Sequence, residues 1–244
     1  MFNGTKPSAS AAASPGANPG RRNGALARAE TWVFDLDNTL YPASCNLFAQ
    51  VDRRIGEFIA KTLKVDMAEA HRLQKSYFRD YGTTLHGLMK NHGLAPDDFL
   101  DYVHRIDVTA VTPDPRLDAA LGQLPGRKIV FTNGSRKHAE NVMARLGISH
   151  RFEAIFDIVA ADYVPKPDPF TYDVMVRRHW IDPRGAVMVE DIPKNLLPAH
   201  AMGMTTVLVR GHAEWAQDGA DGEHIHHVTD DLVTWLQTAA APSR

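Results

Sequence analysis

The sequence predicts an α/β fold, a doubly wound parallel sheet with an all-helical segment inserted after its first strand. Three observations lead there. Short apolar runs that end in polar residues recur along the chain, helical patterns lie between the later runs, and a long stretch of helical periodicity separates the first run from the second.

The first run, Thr31-Trp32-Val33-Phe34-Asp35, breaks off in an acidic turn, as a buried parallel strand does. Runs of the same character follow at 128–132, 155–159, 186–190 and 205–209. Helices are expected over 136–146, closed by Gly147 as a C-cap, over 170–180, and over 194–202 ahead of Gly203. In the long stretch before the second strand, Phe48, Val51, Ile55, Phe58, Ile59 and Leu63 recur at helical spacing. Further helices are expected there over 67–79, 85–92 and 96–106. Such a crossover is far longer than one helix requires, so it reads as a small helical domain, with Pro113-Asp114-Pro115 turning the chain back. Beyond Arg210, residues 212–223 read as a polar loop and 228–236 as a last short strand and helix. The expected division is a disordered tail over 1–29, an α/β core over 30–40 and 113–240, and a helical insertion over 41–112.

Bulk properties exclude several function classes. The 244 residues are 44% hydrophobic and 23% charged, enough to bury a real core. A net charge of -2 offers no basic surface for nucleic acid, and no apolar run approaches the roughly 18 residues of a membrane span. Cys45 is the single cysteine, so no intramolecular disulfide forms, which suits a reducing cytoplasm. The N-terminal segment is rich in Ala, Ser, Pro and Gly and has no continuous apolar stretch, and Arg21-Arg22 is followed by residues too few and too polar for an export signal. The 12 histidines are scattered apart from His224, His226 and His227, and read as surface or core residues.

In open α/β sheets, ligands bind beyond the carboxyl ends of the strands. There the first strand ends in Asp35-Leu36-Asp37-Asn38-Thr39-Leu40, the second in Thr132-Asn133-Gly134-Ser135 and the fourth in Glu190-Asp191, while Lys166 follows the third. Singly, each has a plainer reading: aspartates as turn formers, Ser135 as a helix cap, Lys166 as a solvated surface residue, Glu190-Asp191 as an acidic helix start. Together they are the groups that phosphoryl transfer needs. A carboxylate attacks phosphorus when a cation cancels its repulsion with the phosphate, and the rest is charge neutralisation and positioning.

These four motifs, in this order across nearly all of residues 31–235, resemble the haloacid dehalogenase-like superfamily. The resemblance implies that Asp35 is the nucleophile. It implies Mg²⁺ held by the Asp35 carboxylate, the Asp37 main-chain carbonyl and the Asp191 carboxylate, with Asp37 protonating the leaving group and then activating water. Thr132 and the Asn133 amide are implied to hold phosphate oxygens, Lys166 to screen charge around Asp35, and Asn133 and Glu190 to support. The insertion corresponds to the C1 type of cap. An acid at Asp37 points to phosphate esters, because an alkoxide needs a proton on leaving and a halide does not.

Within the superfamily, Tyr81-Gly82-Thr83-Thr84-Leu85, Gly87-Leu88 and the opening motif through Tyr41 resemble the pyrimidine 5'-nucleotidase branch. That implies UMP or CMP as substrate, with Tyr81, Thr83, Thr84 and His86 offering stacking and hydrogen bonds to base and ribose. Other small phosphometabolites, such as sugar phosphates or phosphoglycolate, and a nucleotide-binding module without turnover are the alternatives. A dinucleotide-dependent oxidoreductase would need G-x-G-x-x-G after the first strand, which is missing. The expected partner is a small phosphorylated metabolite, and the expected state a monomer or homodimer.

Overall fold

The structure, a computed structural model, describes residues 26–211 and 219–239. Its strands are β1 (Thr31–Phe34), β2 (Arg127–Phe131), β3 (Ala154–Phe156), β4 (Ala186–Glu190), β5 (Thr205–Val209) and β6 (His227–Thr229). All pair in parallel, in the order β3-β2-β1-β4-β5-β6. The α-helices are α1 (Leu47–Leu63), α2 (Met67–Tyr81), α3 (Thr84–His92), α4 (Pro96–Val103), α5 (Pro115–Gln123), α6 (Arg136–Leu146), α7 (Pro169–Arg178), α8 (Pro193–Ala201) and α9 (Leu232–Ala239).

Alternation along the strands explains the layers. Trp32 and Phe34 of β1, Val130 of β2 and Val187 of β4 join a core completed by α5, α6 and α9. Val33, Ile129, Phe131 and Met188 point the other way, into a core completed by α7 and α8. Burial on both faces makes the runs largely apolar, and a polar residue inside one is hydrogen-bonded, as Lys128 of β2 is to Leu124 O and Gly126 O (3.1 Å each). The order reverses around β1, which β2 flanks on one side and β4 on the other, so the crevice beyond its carboxyl end is where a ligand is received.

Helices α1 to α4 lie between β1 and β2 in the chain and have a core of their own, built on Phe58, Ile59, Tyr77, Leu88 and Phe99. Gly87 makes the α2–α3 packing possible, since a Cβ there would stand 2.4 Å from Cβ of Tyr77. The insertion also leans on the sheet: Ile158 enters its apolar core and Tyr163 OH donates to Asp97 Oδ1 (3.1 Å).

Several details differ from the expectation. Leu26 and Ala29, assigned to the tail, are buried against the sheet, while the rest of that tail lies outside the described residues. β3 stops at Phe156 because the Asp157 carboxylate takes the amides of Arg136 (2.8 Å) and Ala160 (3.0 Å), turning the chain. Helix α5 was not foreseen. Asp114 caps it by accepting from Arg116 N (2.9 Å), with Pro115 in the first turn. Of the expected loop over 212–223, residues 212–218 lie outside the described residues. Among the described residues, no helix is long and apolar enough to cross a membrane.

Candidate active site

Asp35 stands one residue beyond β1, where its amide still donates to Val189 O of β4 (2.9 Å), so strand pairing fixes its position. Lys166 reaches it from the loop before α7. Its Nζ donates to Asp35 Oδ1 (2.8 Å), Glu190 Oε1 (2.9 Å) and Phe131 O (2.9 Å), which satisfies all three ammonium protons. Burial disfavours that charge, but Asp35 and Glu190 outweigh it and hold the ammonium above its ordinary range. Burial pushes the Asp35 carboxyl up to about 7, opposed by the Lys166 charge and reinforced by Glu190. Thr39 Oγ1 donates to its other oxygen, Oδ2 (2.9 Å).

Glu190 is committed to the protein. Its Oε1 also accepts from Asn195 Nδ2 (2.6 Å) and its Oε2 from Ile192 N (2.6 Å). Neighbouring Asp191 is buried, and burial first, then Glu190 and Asp35, push its carboxyl well above the usual range. One oxygen from each of Asp35, Glu190 and Asp191 lies within 4.8 Å of the other two. Three buried carboxylates against one ammonium leave excess negative charge, and hard oxygen donors suit Mg²⁺, so the donor set fits a divalent cation. Glu190 is turned toward Lys166, which leaves Asp35 and Asp191 as the carboxylates for it.

Asp37 lies on the cavity side of the same turn. Tyr41 OH (2.5 Å) and His138 Nε2 (2.8 Å) both bond its Oδ1. Burial raises the Asp37 carboxyl, yet the His138 charge and these two bonds prevail and hold it below the usual range. The reciprocal effect raises His138 against the pull of burial. His104, capping α4, stacks on His138 with ring centroids 4.5 Å apart and planes 13° from parallel. Burial, then the His138 charge, push His104 down to about 3, so it is a neutral imidazole.

The remaining sequence candidates divide. Thr132 is buried at the end of β2 and accepts from Gly134 N (2.9 Å), leaving its hydroxyl proton for a ligand. The Asn133 carboxamide is taken up by the Lys166 main chain, accepting from its amide (2.8 Å) and donating to its carbonyl (3.3 Å), so the side chain orders the Lys166 loop. A cavity of about 530 Å³ opens above Asp35 and Asp37 and is lined by Thr132, Asn133 and Thr84, with Phe48, Phe78 and Phe99 from the insertion. Tyr81 and His86 are not brought to it. Leu85 and Leu88 turn into the insertion's core, which carries His86 to another face of α3, where its ring stacks on Tyr81 at 6.4 Å. Tyr81 OH donates to Asn91 Oδ1 (3.2 Å) instead. Two of the C-terminal histidines have structural partners: His226 Nδ1 accepts from Thr206 N of β5 (3.0 Å), and His224 Nε2 lies 3.0 Å from Pro193 O at the start of α8.

Residues 30–203 match the model of a family described as haloacid dehalogenase-like hydrolase. The chain belongs to that family. Among curated relatives of this haloacid dehalogenase-like hydrolase, Phosphate metabolism protein 8 of Saccharomyces cerevisiae is 29% identical over 197 residues, covering 73% of this chain. The chain spans 61% of that relative's length. Glyceraldehyde 3-phosphate phosphatase of Methanopyrus kandleri is 29% identical over 196 residues, covering 73% of this chain and 82% of its own. The Escherichia coli fructose-1-phosphate phosphatase YqaB is 33% identical over 122 residues, 49% of this chain and 63% of its own. In fold, the hydrolase is similar to a solved HAD phosphatase from Thermococcus onnurineus, with a TM-score of 0.59 and 15% identity over 86% of this chain and 96% of that one.

Sequence reasoning passed over the partners that hold Asp35 and Asp37 in place. Tyr41 and Thr39 stood inside the opening motif without a role, and each lies four residues beyond the carboxylate it bonds. His138 and His104 were set aside among scattered histidines. The available signal was the place of His138 in the first turn of α6, directly after the Thr132-Asn133-Gly134-Ser135 turn.

Proposed function

We propose that this hydrolase is a magnesium-dependent phosphomonoesterase that works through an aspartyl phosphate on Asp35, with a pyrimidine nucleoside 5'-monophosphate as its substrate. The observation that carries the reading is the buried ammonium of Lys166 bridging Asp35 and Glu190, beside Asp191. A carboxylate held by Lys166 on one oxygen and Thr39 on the other, at a strand end, is pre-organised for in-line attack and costs no reorganisation when it reacts.

Mg²⁺ bound by the Asp35 and Asp191 carboxylates and the Asp37 main-chain carbonyl would supply the charge neutralisation that lets an anion approach a phosphate. The protein's own groups do the rest. The negative charge of the bound phosphate raises Asp37, which takes up a proton and gives it to the departing oxygen as the Asp35 carboxylate bonds to phosphorus and the ester P–O bond breaks. Asp37, now a base, takes a proton from the water that attacks phosphorus, releasing phosphate and regenerating Asp35. The Thr132 hydroxyl and the Asn133 amide hold the transferred group, while Lys166 keeps Asp35 placed.

The helical insertion acts as a cap that receives the leaving group. Phe48, Phe78 and Phe99 give the cavity aromatic surface suited to a flat base, and Thr84 lines it too. A sugar phosphate is the second reading, favoured by what the curated relatives named above act on. The single cysteine suits work in the reducing cytoplasm. A panel of nucleoside monophosphates, sugar phosphates and phosphoglycolate, assayed with Mg²⁺ and with EDTA, decides between them. Preference for UMP and CMP supports the nucleotidase reading, preference for a sugar phosphate replaces it, and turnover that survives EDTA refutes the metal dependence.

A further inference from the structure

Two donors converge on one oxygen of Asp37. Tyr41 OH and His138 Nε2 both bond Oδ1, at 2.5 and 2.8 Å, so the carboxyl cannot rotate without losing both bonds. Oδ2 is thereby the oxygen left to exchange a proton with substrate. His138 is only 1% exposed and held from two sides. Its amide donates to Ser135 Oγ (3.3 Å), the N-cap of α6, and its ring lies under that of His104. His104 Nδ1 in turn lies 3.0 Å from Ser135 Oγ. Because the hydroxyl oxygen already accepts from the His138 amide, its proton is free to go to His104 Nδ1.

The two rings come from different parts of the fold. His138 belongs to α6, packed on the sheet, whereas His104 ends α4, the last helix of the insertion. His104 also lines the cavity. The contact is therefore a joint between the part that carries the acid and the part that encloses the leaving group.

We propose that His138 is the positioning residue of Asp37, fixing which carboxyl oxygen faces the leaving group, and that His104 transmits the placement of the insertion to it through the stacked rings. The inference rests on the phosphomonoesterase reading above. It reaches beyond that reading in naming residues that govern only the steps needing the acid. An alkyl phosphate leaves as a strongly basic alkoxide and depends on protonation, whereas a nitrophenolate leaves without it. Loss of positioning therefore falls unequally on the two kinds of ester, while a general loosening of the fold falls on both alike.

The test compares kcat and KM of wild type, H138A, H138Q, H104A and the H104A/H138A double variant on a nucleoside monophosphate and on p-nitrophenyl phosphate, with thermal melting of each protein alongside. H138A is expected to lower kcat on the nucleotide by at least about tenfold more than on the aryl ester, with KM nearly constant. H138Q, which restores an N–H donor at similar reach, should recover most of that difference. H104A should show the same selective loss in smaller measure, and add little once His138 is gone. Equal losses on both esters, or no recovery in H138Q, would overturn the role of His138, and independent, multiplying losses in the double variant would overturn the relay. If wild type hydrolyses neither ester, it is the phosphomonoesterase reading that fails, which is a distinct result.

Discussion

Nζ of Lys166 and Oδ1 of Asp35 stand 2.8 Å apart, although 131 positions separate the two residues in the chain. Both are buried, and Lys166 is only 1% exposed. A buried pair of this kind contributes little net stability compared with well-packed apolar residues. Its value lies in holding a nucleophilic carboxylate at a set place.

Removing one partner is a different matter. K166M leaves Asp35 and Glu190 buried without their counter-charge, which costs about 3–5 kcal/mol of folding stability. Acid relieves the strain by protonating Asp35, whose carboxyl burial already pushes up to about 7 with Lys166 beside it and higher without it, so the gap to wild type should narrow as pH falls. Urea denaturation of both proteins across the acid range checks this; a gap that stays constant or widens on acidification contradicts it.

Asp191 and Glu190 are adjacent in sequence but differ in role. Both Glu190 oxygens are occupied by Lys166, Asn195 and Ile192, whereas Asp191 is the carboxylate left beside Asp35. D191N should weaken magnesium activation by more than about tenfold, while E190Q should act mainly on stability and on kcat through Lys166. Magnesium titrations of both variants decide the matter, and equal shifts in metal requirement would assign Glu190 to the metal as well.

The parts of this site that the sequence shows are those carried by strand ends. Apolar runs buried on both faces locate the strands, and the polar residue after each run must lie at the crevice, so Asp35, Thr132 and Asp191 could be placed together. Lys166 was placed at the same rim because it follows the third run, but its role beside Asp35 came only from the resemblance, since a loop lysine carries no periodicity. What stayed hidden depends on tertiary approach. Nothing local brings His104 to His138, or turns His86 from the cavity while Thr84 faces it. Leu26 was lost in a tail of small and polar residues because one buried side chain leaves no pattern.

His138 makes stability depend on pH in a definite direction. Asp37 raises its folded value above the ordinary 6.5, so the folded protein binds that proton more tightly than the unfolded chain does. The contribution of the pair is complete below pH 6.5 and disappears as pH climbs through the folded value. H138Q has no such proton. In EDTA, its deficit relative to wild type should therefore be larger near about pH 6 than near about pH 9, measured by urea denaturation. A deficit independent of pH, or one that grows with pH, contradicts the ion pair.

The most direct test of the whole account is to find the phosphoryl group on the protein. Enzyme mixed with substrate, quenched in acid within one turnover, treated with borohydride and digested should yield homoserine at position 35, the reduction product of an aspartyl phosphate. D35N should yield none, and its turnover should fall by at least about a thousandfold. Phosphate trapped on another residue, or a D35N protein that still turns over at close to the wild-type rate, would contradict the account.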